Sequence, residues 1–160
     1  MAEEDGKVER LSLAQAGQHL LEECRMVLPG MQALFGFQLI AVFSESFSDR
    51  LDEADQMVHL GAIALVAVAV ALVMTPAAYH RQTGTEQVTE RFLRLSSRLL
   101  LWSMFPLALG IALDFFLIAK LITHRPLLSL ALALSLLALY GSLWLGLPWV
   151  CRREGKRKTR

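Results

Sequence analysis

Four side chains in apolar surroundings have the chemistry to hold or pass a proton or a cation: Glu45, His59, Asp114 and Lys120. Asp114 stands out. Between residues 99 and 149 the only full charges are Asp114, Lys120 and Arg125. A carboxylate exchanges a proton or ligates a cation, a histidine titrates near neutral pH, and a lysine supplies a counter-charge. A charge near the centre of a bilayer costs at least ~2.5–3.5 kcal/mol, so one kept there has a purpose. Gln38 precedes Glu45 by seven residues, which puts both on one face of a helix, while Gln32 falls on another face. Such glutamines line a polar path or hydrogen-bond between helices. The plainer reading of the same residues is an Asp114–Lys120 or Asp114–His59 pair, with Glu45 among lipid headgroups.

A second set is basic. Arg25, His80, Arg81, Arg94 and Arg98 fall on the opposite side from the carboxylates. They suit a gate or filter, or contact with anionic headgroups, although basic residues at span ends also serve plain topology. Glu90, Arg94 and Arg98 form a ladder at helical spacing, as on a solvated helix face.

The elements that position these groups follow from the apolar runs. The 160 residues allow one domain, and 54% hydrophobic against 19% charged residues excludes a disordered chain and argues against a small soluble enzyme. A transmembrane helix needs about 20 apolar residues. Four runs meet that length, at about 28–47, 57–79, 95–122 and 127–150. The second and fourth keep no polar stripe, which a buried helix of a soluble fold would keep. Residues 8–27 read as an amphipathic helix with Leu13, Leu20, Cys24 and Val27 along one face, after a disordered start over 1–7. Residues 83–86 form a possible capping box before the third span, Pro106 is expected to kink that span, and Trp144 and Trp149 suit a membrane interface at the end of the fourth. The expected fold is all-α: a polytopic transmembrane four-helix bundle (28–150) behind a cytoplasmic tail and amphipathic helix (1–27) and before a basic cytoplasmic tail (151–160). Small residues at Ala64, Ala67, Ala71, Thr75 and Ala78, and at Ala131, Ser135, Ala138 and Ser142, make stripes on which helices can pack, within the chain or between subunits.

Thirteen Lys and Arg residues fall on one side of these spans and three on the other, which places both termini in the cytoplasm. No cleavable signal peptide is visible, since the chain opens on acidic residues. A net charge of +1 gives no basic surface for nucleic acid. The two cysteines have neither a CxxC spacing nor histidine partners, which argues against a disulfide scaffold or a zinc site. No hydrolase, zinc-protease, P-loop or dinucleotide signature occurs, so neither enzymatic activity nor a cofactor is expected.

Glu23-Cys24-Arg25, then Gly30-Met31-Gln32 with Phe35 and Phe37, then Pro76-Ala77-Ala78-Tyr79-His80-Arg81 make the stretch from 18 to 122 resemble a family of small bacterial four-span integral membrane proteins. That family is a domain of unknown function, sometimes labelled automatically as sodium/proton antiporter. The resemblance implies the architecture and a bacterial cytoplasmic membrane, and adds weight to Arg25, Gln32, His80 and Arg81. The reading that follows is a proton or ion channel or transporter acting as a homo-oligomer, in the bilayer and against anionic lipids on its cytoplasmic face. The alternative is a non-transporting scaffold or accessory subunit of a larger membrane partner. A membrane-impermeant thiol reagent applied to intact cells is expected to leave Cys24 and Cys151 unlabelled; labelling of either from outside overturns the N-in, C-in arrangement.

Overall fold

The computed structural model describes residues 12–83 and 89–146, and these are helical apart from short turns, with no strand among them. The chain start, part of the 83–86 capping sequence, Pro148, Trp149, Cys151 and the basic tail lie outside the described residues. The helices are α1 (Leu13–Val42), α2 (Glu45–Arg50), α3 (Glu53–Thr83), α4 (Glu90–Thr123) and α5 (Pro126–Gly141), followed by a π-helical turn at Ser142–Gly146. Four of them, over Gln15–Val42, Glu53–Gln82, Glu90–Thr123 and Pro126–Trp144, are long and apolar enough to cross a membrane. The protein is a helical membrane bundle.

The amphipathic segment and the first span are one helix. Ser12 caps α1 through a reciprocal capping box with Gln15, and the helix then passes through Pro29 without a break. It continues because its inward seam does: Leu20, Cys24, Leu28, Met31, Phe35 and Gln38 recur at steps of three or four. α1 stops at Val42, earlier than expected, and the short α2 reverses the chain. Glu45 therefore starts α2 instead of ending the first span. α3 opens with Asp52, whose carboxylate accepts from the Asp55 N–H at 2.8 Å. Thr89 caps α4, its hydroxyl accepting from the Phe92 N–H at 3.2 Å. α4 then runs uninterrupted through Pro106. It ends at His124, which takes a left-handed conformation (φ 54°) and donates its N–H to the Lys120 carbonyl at 3.0 Å, and Pro126 starts α5 two residues on.

α3 and α4 share the largest contact, α1 lies chiefly on α3, and α5 leans on α4. Each central helix presents one seam. On α3 it comprises Asp55, His59, Ala62, Val66, Ala69, Val73 and Pro76, all buried. On α4 it comprises Ser96, Leu100, Ser103, Leu107, Gly110, Asp114 and Leu117. These repeats of seven match the left-handed packing that lets neighbouring helices stay in contact along their length. The expected small-residue stripes have a different phase. Ala64, Ala67, Ala71, Thr75 and Ala78 are exposed, as are Ala131, Ser135, Ala138 and Ser142, so neither stripe packs within the chain. α5 uses Ser129 and Ala133 instead. Ser129 meets Thr123 Oγ1 at 3.0 Å and donates to the Arg125 carbonyl at 3.0 Å. Cys24 is buried beside the Met31, Ala69 and Val73 cluster, so only Cys151 bears on a topology test by thiol labelling.

α4 comes close to α3 at Gly110. A Cβ there would stand 2.9 Å from Val66 Cγ2 and 3.1 Å from the Ala62 carbonyl oxygen. Gly110→Leu is expected to destabilise the detergent-solubilised protein by about 1–3 kcal/mol or more through overpacking, read as a lower melting temperature. Gly61→Ala, with nothing within 4 Å of the new methyl, is expected to be neutral or slightly stabilising.

Candidate functional site

The three seams bring their polar members together at the end of the bundle where α2 lies. Gln38 comes from α1, His59 from α3 and Asp114 from α4, and on each helix the residue holds a regular seam position. Gln38 and His59 are buried, and the Asp114 side chain is 16% exposed. Gln38 Nε2 donates to Asp114 Oδ2. His59 Nδ1 lies 3.0 Å from Asp114 Oδ1, and His59 Nε2 lies 3.1 Å from the Gln38 carbonyl oxygen. The Phe47 ring of α2 tilts over the imidazole at 5.3 Å between centroids.

This geometry constrains protons. The Gln38 carbonyl only accepts, so the short Nε2 contact requires a hydrogen on Nε2. The Nδ1–Oδ1 contact then requires one further proton, on either the imidazole or the carboxyl. With the proton on nitrogen the pair is imidazolium and carboxylate; with the proton on oxygen both are neutral. The pair has no net charge in either form, which lowers the cost of placing it in apolar surroundings. Without that proton a nitrogen lone pair would face a carboxylate, and the contact would repel. With the proton in place, the contacts of Gln38, His59 and Asp114 tie α1, α3 and α4 together. Gln38 Oε1 is buried and has no hydrogen-bond partner.

A second polar layer lies nearer the chain reversals. Lys120 Nζ donates to both oxygens of Asp55 at 2.7 Å and approaches Asp52 at 3.7 Å. Lys120 follows Asp114 by six residues, about 9 Å along the helix axis. Of the two pairings weighed from sequence, the Asp114–His59 contact is present, and Lys120 turns to Asp55 instead of Asp114. Asp55 was missed as a site residue, although stepping four residues back from His59 along the seam reaches it.

The other expected residues are placed apart. Glu45 is exposed on α2, outside the cluster. Gln32 is exposed on α1, one step from buried Met31, so it does not share a path with Gln38. Arg25, Arg81, Arg94 and Arg98 are exposed, and Arg94 meets Glu90 at 3.4 Å. His80 is half-buried against Phe92, with ring centroids 5.7 Å apart. No group of three or more His, Cys, Asp or Glu suited to a metal ion occurs among the described residues.

The fold and the cluster define a small helical membrane protein with a largely buried His–Asp pair. The chain belongs to the family of unknown function DUF6328, whose model matches residues 8–148. No curated protein and no solved structure matches the chain.

Removing one member of a buried pair strands the other. Asp114→Leu is expected to destabilise the protein in detergent by about 3–5 kcal/mol, because His59 Nδ1 and Gln38 Nε2 lose their acceptor. The double variant His59→Leu/Asp114→Leu is expected to recover part of that loss in thermal unfolding. Purely additive effects would show that the two side chains do not interact.

Proposed function

We propose that the protein handles protons in the bacterial cytoplasmic membrane as a small transporter or channel subunit working as a homo-oligomer. The observation behind this reading is the imidazole of His59, with both nitrogens engaged, Nδ1 at the Asp114 carboxyl and Nε2 at the Gln38 carbonyl. A group that is stable only when loaded, and that faces its own counter-base, suits uptake and release of a proton better than a purely structural contact. With both termini in the cytoplasm, the cluster lies in the outer half of the membrane. Two adjoining cavities support access from that side. One, of about 430 Å³, is lined by Arg50, Asp55 and Lys120; the other, of about 440 Å³, reaches His59 and Asp114, and Arg50 and Leu121 line both. Assembly from several copies is favoured by the exposed small-residue stripes of α3 and α5, which lie where a neighbouring helix can approach closely. The exposed arginines at the other end suit anionic headgroups.

The same exposed stripes favour a second reading, a scaffold that binds a larger membrane partner. Proton movement separates the two. Purified protein in liposomes with an imposed pH gradient and an internal pH-sensitive dye is expected to dissipate the gradient. Asp114→Asn and His59→Phe are expected to slow it about tenfold or more, the factor that about 1.4 kcal/mol of lost stabilisation produces. A wild-type protein that moves no protons under either sign of gradient overturns the transport reading and leaves the scaffold.

A further inference from the structure

We infer that the cavity against the Gln38–His59–Asp114 cluster is a binding site for a protonated amine with an apolar body, which enters in exchange for the shared proton. The inference rests on the proton-handling reading of the same cluster and adds the class of ligand.

The cavity holds about 440 Å³, within the range of about 300–1,000 Å³ usual for small-molecule sites. Its walls are apolar and come from α1, α2 and α4, with Leu34, Phe37, Phe47, Leu117, Ile118 and Leu121 among them. Its polar lining comes from Gln38, Ser44, Arg50, His59 and Asp114. A ligand that fits must be mostly apolar, and its polar end must meet a carboxylate. Gln38 adds a second requirement, because its buried Oε1 has no hydrogen-bond partner. An ammonium group suits both, since it pairs with a carboxylate and donates to an amide oxygen. Phe37 and Phe47 line the cavity, and aromatic rings attract a cation over their faces. An inorganic cation fits poorly, since it needs a shell of oxygens and the walls offer carbon. Phe37 and Ile118 are 71% and 53% exposed, so the cavity opens sideways into the lipid, where an amphiphilic amine concentrates. Arg50 also lines the cavity, but Asp52 and Asp55 offset Arg50 and Lys120, so the way in has no net charge to repel a cation.

Charge balance defines the exchange. Before binding, the His59–Asp114 pair holds one proton and is neutral. After binding, Asp114 is a carboxylate, His59 is neutral with its hydrogen kept on Nε2 for the Gln38 carbonyl, and an ammonium N–H takes the place of the lost proton between Asp114 and His59 Nδ1. One proton leaves to water for each amine bound, and no covalent bond changes.

The test uses the full chain in mild detergent and weak buffer. It is titrated with 2-phenylethylammonium chloride, with potassium chloride and neutral 2-phenylethanol as controls. Heat and a pH-indicator dye are read together. Saturable binding of the amine, with about one proton released per site and neither control matching it, is the expected result. Asp114→Asn, checked for helicity by circular dichroism, is expected to abolish the proton release and weaken binding about tenfold or more. Leu34→Trp fills the cavity from its wall and is expected to abolish binding. Ile118→Trp does the same from the exposed rim, where folding is not at stake. Binding without proton release, or binding that survives both tryptophan variants, overturns the proposal. No amine binding by a protein that still moves protons in liposomes overturns the amine site and leaves the proton reading standing. Amine binding with proton release by a protein that moves no protons in liposomes supports the site and rejects transport.

Discussion

One imidazole holds the bundle's polar end together. His59 of α3 reaches the backbone of α1 through Nε2 and the carboxylate of α4 through Nδ1, and both contacts are hydrogen bonds when a proton lies between His59 and Asp114. In apolar surroundings the alternatives are costly, because an unpaired carboxylate or a lone pair facing one has no water to relieve it. The side-chain amide of Gln38 ties α1 to α4 again through Asp114 Oδ2. Three helices are therefore joined at one cluster, through side chains from α1, α3 and α4.

The rest of the packing serves that unit. Ala62, Val66, Ala69 and Val73 on α3 and Ser103 and Gly110 on α4 are small or β-branched, which lets the two backbones run close beside each other. In lipid the apolar effect between helices is weak, so dispersion at close range and hydrogen bonds must hold them. Close seams also set the register. Gly110 fixes the height of α4 against Ala62 and Val66, and with that height Asp114 meets His59 one turn away. At the outer layer Lys120 meets Asp55, one turn from His59 on α3. The two polar layers thus repeat the same α3–α4 register, and a slip of the helices would break both pairs at once.

Much of this was legible in the residues. Four apolar runs of spanning length defined four membrane helices, because runs of that length rarely occur in soluble folds. Asp114 and His59 announced themselves as polar groups in apolar surroundings, and Gln38 as a hydrogen-bonding partner. The phase of the helices was harder to read. α3 has alanine at 62, 64, 67, 69 and 71, so nearly every face shows a small stripe, and only the partner helix selects one. The stripe chosen from sequence turned out to face outward. Glu45 was lost to the cluster for a similar reason: α1 ends at Val42, and the reversal through α2 turns the residue away.

By itself, the chain's chemistry determined the helical membrane class, the number of spanning helices and the polar groups that must find partners, because the cost of exposing polar groups to lipid acts on each residue separately. The tertiary structure alone decided which groups are partners. Lys120 had Asp114 six residues away on its own helix, and took Asp55 from α3. Pairing depends on the rotation and height of one helix against another, and those are set by contacts such as Gly110 on Val66, between residues 44 apart along the chain, that no local pattern encodes.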